Sequence, residues 1–316
     1  MIHFFREGIE QGNSMVYVDD IRKLNSSRIE LLIECSLQAY NAFSESQADQ
    51  CLSENVTPPM GFELLDSWSG VDALFGEGKK VETYGLVFRS VKAPWRYVFA
   101  FRGTDSALDM LDDCGVEPQA FVPFDSDVVV PDEVWVESGF NDIYRGEYGV
   151  VSSMQQQLFA LIDKYLASSK PVSEVYITGH SLGGALSQLF MLDLALSRPE
   201  VTGENINFAS PRVGNGAFVD FYRTQTPDTN LRVVNFHDAV PNMPPEELGF
   251  KHYPAGYLIA FHANDMLGKL DLKAAHSSVN YKAVIACAVN SGDGICCDKQ
   301  LPVGENVTIR CDRPKT

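Results

Sequence analysis

The chain has 316 residues, of which 45% are hydrophobic and 21% charged, enough apolar material for one large core. Against 42 acidic residues stand 25 basic ones, a net charge of −17 that repels nucleic acid and anionic lipid surfaces but leaves uncharged esters acceptable as substrates. The longest apolar run, AVIACAV at 283–289, is far too short to span a membrane.

The opening MIHFFREGIEQGNSM lacks the charged start, apolar stretch and small-residue cleavage site of a secretory leader, so none is expected in this form of the chain. SSRIELLIECSLQAYNAF then places Ser27 three residues before Glu30, a capping-box pattern. Ile29, Leu32, Ile33, Leu37, Tyr40 and Phe43 follow at helical spacing and predict an amphipathic helix. VETYGLVFRSV and WRYVFAFRG read as two strands joined by a turn at Ala93–Pro94. In DSALDMLDD, Ser106 precedes Asp109 in a capping-box-like start, and Leu108 and Leu111 share a face with Ala107, predicting a short helix over 107–113.

VVSSMQQQLFALIDKYL reads as a helix that leads into VYITGHSLGGALSQL. In the latter, the β-branched run Val175–Thr178 predicts a buried strand, and Leu182, Ala185, Leu186 and Leu189 return at helical spacing. Only a tight corner fits between them, with Ser181 at its apex and Gly179 and Gly183 on either side, the G-x-S-x-G spacing of a nucleophile elbow. ENINFAS predicts the next strand, a helix follows around Ala217–Arg223, and LRVVNFHDAV predicts another strand. A last helix is expected to begin near His276 and run through Ala283–Ala286. Strands alternating with helices predict an α/β fold with a mostly parallel central sheet flanked by helices, and no repeat or linker divides the chain, so a single domain over 1–316 is expected.

A serine nucleophile needs a base, and the base needs an acid to orient it. Asp238 lies just past a predicted strand, in a loop forced by Pro241, Pro244 and Pro245. Of six histidines, His276 ranks first as base and His262 second. His252 reads as a structural hydrogen bonder, and His180 and His237 point away from the serine's face. The oxyanion requires N–H donors, for which Leu182 at the head of the elbow helix and Thr104 after the strand Val98–Phe101 are the candidates.

In the order FAFRGTDS, VESGFNDIY, VYITGHSLGGALSQL, FASPRVGNGAFVDFY, VVNFHDAVPNMPP, GFKHYPAGY and AHSSVNY, the chain resembles the class 3, fungal-type triacylglycerol lipases from Val98 to about Tyr281. The resemblance implies an α/β-hydrolase fold, with nucleophile on Ser181, acid on Asp238, base on His276 and oxyanion residues on Thr104 and Leu182. It also implies a short lid after Thr104, here carrying Leu108, Met110 and Leu111, in an acidic segment without tryptophan. The N-terminal part to about residue 80, read as helical, and the cysteine-containing tail from about 290 to 316 fall outside the resemblance.

The reaction expected is carboxylic ester hydrolysis, with a triacylglycerol lipase first and a phospholipase or soluble-ester (feruloyl-type) esterase as the alternative. A non-catalytic binding protein on the same fold would be expected to lack a triad member. The expected partner is a lipid or other ester at a lipid–water interface, the chain acting as a monomer, with no cofactor, no metal and no nucleic acid; the resemblance favours a secreted protein. The 7 cysteines allow at most three pairs, adjacent Cys296 and Cys297 do not have a zinc spacing, and the tail admits both a disulfide tether and buried thiols.

Overall fold

The computed structural model describes residues 15–42, 55–72, 80–104, 117–147, 149, 151–264, 269–303 and 308–314. The expected lid residues Leu108, Met110 and Leu111 lie outside them.

Eight strands form the central sheet: β1 (Val16–Val18), β2 (Phe62–Asp72), β3 (Lys80–Ser90), β4 (Arg96–Phe101), β5 (Glu174–His180), β6 (Thr202–Phe208), β7 (Leu231–Asn235) and β8 (Ala255–Ile259). Their order is β1-β8-β7-β6-β5-β4-β3-β2. Every pairing from β1 to β4 is parallel, and only the β2–β3–β4 side is antiparallel. The mostly parallel sheet is therefore as the alternating pattern predicted. The part before residue 80 is not simply helical, because it supplies the strands at both edges of the sheet.

Among the described residues, seven helices flank it: α1 (Ser26–Asn41), α2 (Ser138–Arg145), α3 (Met154–Leu166), α4 (Leu182–Ser197), α5 (Gly216–Gln225), α6 (Leu272–His276) and α7 (Ser278–Val289). The two-residue alternation of β4 divides the core between the faces. Tyr97, Phe99 and Phe101 pack with Phe140 of α2, Leu158 and Ile162 of α3 and Phe190 of α4. Val98 and Ala100 pack on the opposite face with Ile29 and Leu32 of α1 and Tyr281 and Ile285 of α7.

Helix α1 is capped by Asn25, whose side chain accepts from the Arg28 N–H, and not by Ser27, whose hydroxyl instead donates to Asn25 at 3.1 Å. The asparagine wins because it lies one residue before the helix, with the reach to meet the N3 donor. Helix α3 is capped by Ser153. Helix α4 is buried from Leu182 through Leu194, so its apolar stripe is only part of what it hides. Its one buried carboxylate, Asp193, accepts from Tyr144, Gln155, Ser197 and the Phe124 N–H, so the charge is fully hydrogen-bonded.

The last helix differs from expectation. His276 ends the short α6, Ser277 is extended at φ −64 and ψ 123, and α7 starts afresh at Ser278. The break turns the His276 side chain away from the axis of α7. Beyond α7, β9 (Lys299–Pro302) and β10 (Thr308–Cys311) form a hairpin that pairs with the two-residue strand Phe261–His262. A Cys287–Cys296 disulfide ties α7 to this tail, while Cys35 and Cys311 are buried thiols, so the tether and the free thiols both occur. Among the described residues, no helix is long and apolar enough to cross a membrane.

The close approach of α4 to β5 depends on Gly179, where a Cβ would lie 2.2 Å from the Gly183 carbonyl oxygen. Backbone cannot give way cheaply there, so Gly179→Ala is expected to cost about 3 kcal/mol, read as a lower midpoint in urea unfolding. An unchanged midpoint would show that the corner is looser than this contact implies.

Candidate active site

Ser181 links β5 directly to α4 and holds φ 60 and ψ −128, a conformation that L residues rarely adopt. Hydrogen bonds hold it there. Its N–H donates to the Phe208 carbonyl at 2.9 Å, and its own carbonyl accepts from Gly184 at 2.8 Å and Ala185 at 3.3 Å. Flanking residues must come close for this geometry. A Cβ on Gly183 would meet the Phe101 and Arg102 carbonyls at 2.6 and 2.7 Å, and one on Gly184 would meet the Ser210 Cβ at 2.8 Å. A Cβ on Gly103 would lie 3.1 Å from the Ser181 Cβ, so the Arg102–Thr104 turn backs onto the serine. Leu182, the first residue of α4, has no acceptor for its N–H within the helix, and that N–H faces the site from the positive end of the helix.

Asp238 and His276 come from different segments and meet. The His276 Nδ1 lies 2.8 Å from Asp238 Oδ2, with both side chains almost wholly buried. A carboxylate only accepts, so Nδ1 carries the proton and Nε2 presents its lone pair. Asp238 is otherwise satisfied: Oδ1 accepts from the Val240 N–H at 3.0 Å, and Oδ2 also accepts from the Tyr281 hydroxyl at 2.9 Å. Burial, and then the Asp238 charge, pushes the Tyr281 phenol well above its ordinary range, so it stays a donor.

Two atoms in this network stand out. Ser181 Oγ and His276 Nε2 are both buried, and neither has a hydrogen-bond partner among the described residues. Folded proteins rarely leave such groups unpaired, and the exceptions mark places where a ligand or a reaction supplies the partner.

The other histidines divide as the spacing predicted, with one addition. His262 Nδ1 lies 2.9 Å from Asp312 Oδ2, so the second-ranked candidate sits beside a different carboxylate. His252 Nε2 lies 2.6 Å from the Pro241 carbonyl and braces the loop after Asp238. His180 does not merely point away from the serine. Its Nε2 donates to the His276 carbonyl at 2.8 Å, its Nδ1 accepts from the Tyr40 hydroxyl at 2.9 Å, and its ring lies 4.6 Å from that of His276. Tyr40, Tyr281 and Asn235 have no role assigned from sequence, although Asn235 and Tyr281 lie within VVNFHDAVPNMPP and AHSSVNY. Asn235 Nδ2 donates to the carbonyls of Ala275 and Phe261, fixing the turn that carries His276, and its N–H donates to Tyr281.

The segment from residue 98 to 248 matches the family model described as Lipase (class 3). That segment is similar to the class 3 lipases. A secreted mono- and diacylglycerol lipase of Malassezia globosa is 32% identical over 171 residues, covering 53% of this chain and 52% of that protein. A second from the same organism is 27% identical over 268 residues, covering 77% of this chain and 83% of that one. The chain thus spans about half the length of the first relative it matches. Its fold is that of the Rhizomucor miehei lipase in its propeptide complex, at a TM-score of 0.53 and 23% identity over 79% of this chain and 75% of that one. The α/β-hydrolase fold that the motifs implied is therefore present.

Buried His180 gives the protein a defined acid sensitivity. Burial, then the neighbouring His276, holds its imidazole well below the ordinary histidine range, so it stays neutral when the unfolded chain is already protonated. Below about pH 6.5 the unfolded state binds the extra proton, so stability is lost as pH falls, by roughly 1 kcal/mol per pH unit. Urea unfolding between about pH 5 and 7 should show this slope, and His180→Gln should flatten it; equal slopes in both proteins would refute the assignment.

Proposed function

We propose that the protein is a serine carboxylic ester hydrolase acting on acylglycerols, with Ser181 as nucleophile, His276 as base and Asp238 as the acid that orients it. One observation carries this reading. A single imidazole is held by Asp238 at Nδ1, while its Nε2 and the Ser181 Oγ are both buried and without hydrogen-bond partners among the described residues.

In the proposed reaction, Ser181 Oγ attacks the ester carbonyl and passes its proton to His276 Nε2. The imidazolium is stabilised by Asp238, which the Tyr281 hydroxyl and Val240 N–H hold in place. The tetrahedral oxyanion takes hydrogen bonds from the backbone N–H groups of Leu182 and Thr104, which flank the serine from α4 and from the turn after β4. Protonated by His276, the alcohol leaves, and water, deprotonated by the same Nε2, releases the acid from Ser181. The names of the Malassezia relatives support mono- and diacylglycerols as substrates. The chain is proposed to work as a monomer, meeting its lipid ester at a lipid–water interface.

Ser181→Ala and His276→Ala should each lower kcat/KM on a short p-nitrophenyl ester by about 10⁶-fold, and Asp238→Asn by about 10⁴-fold through the wrong imidazole tautomer. Retained turnover in Ser181→Ala would overturn the mechanism. Substrate class is tested separately, with an acyl chain-length series beside emulsions of mono-, di- and triacylglycerol and a phospholipid. Higher rates on the acylglycerols support the proposal; a preference for the phospholipid or for soluble esters alone would refute the substrate assignment.

A further inference from the structure

On the tail side of the acid loop, three side chains that the hydrolytic reaction does not use converge. His237 lies two residues past the end of β7, His262 ends the strand Phe261–His262, and Asp312 follows β10. His262 Nδ1 is 2.9 Å and His237 Nε2 3.4 Å from the same carboxylate oxygen, Asp312 Oδ2. One ligand atom from each residue lies within 4.8 Å of the other two. All three side chains are between 21% and 32% exposed, so the group opens to water on one side only.

We propose that His237, His262 and Asp312 form a binding site for one divalent transition-metal ion of the zinc type. The inference does not rest on the proposed hydrolytic function. Three features of the group support it over a plain ion pair.

The first is how the rings are aimed. His262 Nδ1 has no exposed surface and makes no hydrogen bond, although Asp312 Oδ2 is 2.9 Å away, so its in-plane direction misses that oxygen. A ring that served only to pair with Asp312 would aim a proton at it.

The second is spacing. Zinc binds imidazole nitrogen and carboxylate oxygen at about 2.0–2.2 Å, and a tetrahedron of that size has edges of about 3.3 Å. The observed 2.9 and 3.4 Å lie on either side of this edge, and the imidazole nitrogens, within 4.8 Å of each other, are near enough to close onto one ion by ring rotation. Two nitrogens and one oxygen suit zinc and its neighbours and not calcium or magnesium, which require oxygen ligands. The open side leaves room for water as a fourth ligand.

The third is how firmly the backbone presets the group. Beside His237, the Phe236 N–H donates to the Ile259 carbonyl at 2.9 Å; His262 pairs with Arg310 across the sheet; and the Asp312 N–H donates to the Ala260 carbonyl at 2.9 Å. Arg310 is the nearest opposing charge, but its Nε faces the other oxygen, Oδ1, at 3.5 Å, and its side chain is two-thirds exposed and able to swing clear. An ion here would clamp the loop that carries Asp238 to the C-terminal hairpin.

The test uses the full chain after chelator treatment and dialysis, titrated with Zn²⁺ by calorimetry and with Co²⁺ by absorption. Saturable one-to-one Zn²⁺ binding at micromolar affinity or tighter is expected, with a rise in Tm. His262→Gln and Asp312→Asn should each weaken it by at least about tenfold, the least that a zinc site loses when even an outer partner is removed. Should either variant fail to fold, Co²⁺ in the parent chain decides. Tetrahedral nitrogen–oxygen ligation gives intense visible bands without a thiolate charge-transfer band in the near ultraviolet. Absence of saturable binding, unchanged affinity in the folded variants, or a thiolate band that moves the ion to the cysteines would each overturn the proposal.

Discussion

The positive φ at Ser181 is the constraint on which the rest of the molecule depends. A strand can pass into a helix in one residue only if that residue takes a conformation costing about 1–3 kcal/mol, and only if its neighbours enforce it. Here the enforcement comes from both sides of the sheet. Phe208 at the end of β6 accepts the Ser181 N–H, and the ends of β4 press against Gly183. A parallel order of β4, β5 and β6 places these three ends together at one edge of the sheet. The local strain at the serine and the global strand order are thus one arrangement seen at two scales.

The acid–base side is built on a different principle, complete satisfaction of everything except what must react. Asp238 has a partner for each of its oxygens, Asn235 spans three backbone segments, and His180 uses both ring nitrogens. In a buried setting each of these bonds resists displacement, because an orphaned group there costs about 1–3 kcal/mol. His276 is therefore held from three directions: Asp238 at its ring, His180 at its carbonyl, and Asn235 through the preceding residue. What remains without a partner on this imidazole is Nε2.

The central fold, the corner at Ser181 and the loop of Asp238 were legible because each depends on short-range pattern. Val175–Thr178 followed by Leu182, Ala185 and Leu186 changes period at the corner itself, and the prolines after Asp238 mark its loop. Choosing His276 over His262 was legible only as a ranking. In the structure His276 lies beside Asp238, whereas His262 lies beside Asp312, fifty residues downstream and on a hairpin that no motif announced. Tyr40 and Tyr281 looked like ordinary apolar-face residues of amphipathic helices, since only the assembled fold brings their hydroxyls to His180 and Asp238. The break at Ser277 was hidden for a related reason. SSVN continues a helical pattern acceptably, and it is the tertiary demand on His276 that turns the chain there.

The pairing of β1 with β8 has a consequence for how the chain comes into being. Val16 is matched to Ala255, and Val18 to Tyr257, so β1 has no partner until the chain well over 200 residues further on has been made. The opposite side of the sheet, with its β2–β3–β4 meander, pairs only strands that are neighbours in sequence. Pairing β1 with β8 is therefore the longest loop closure in the central sheet, and it fixes the strand from which the chain leads on to His276.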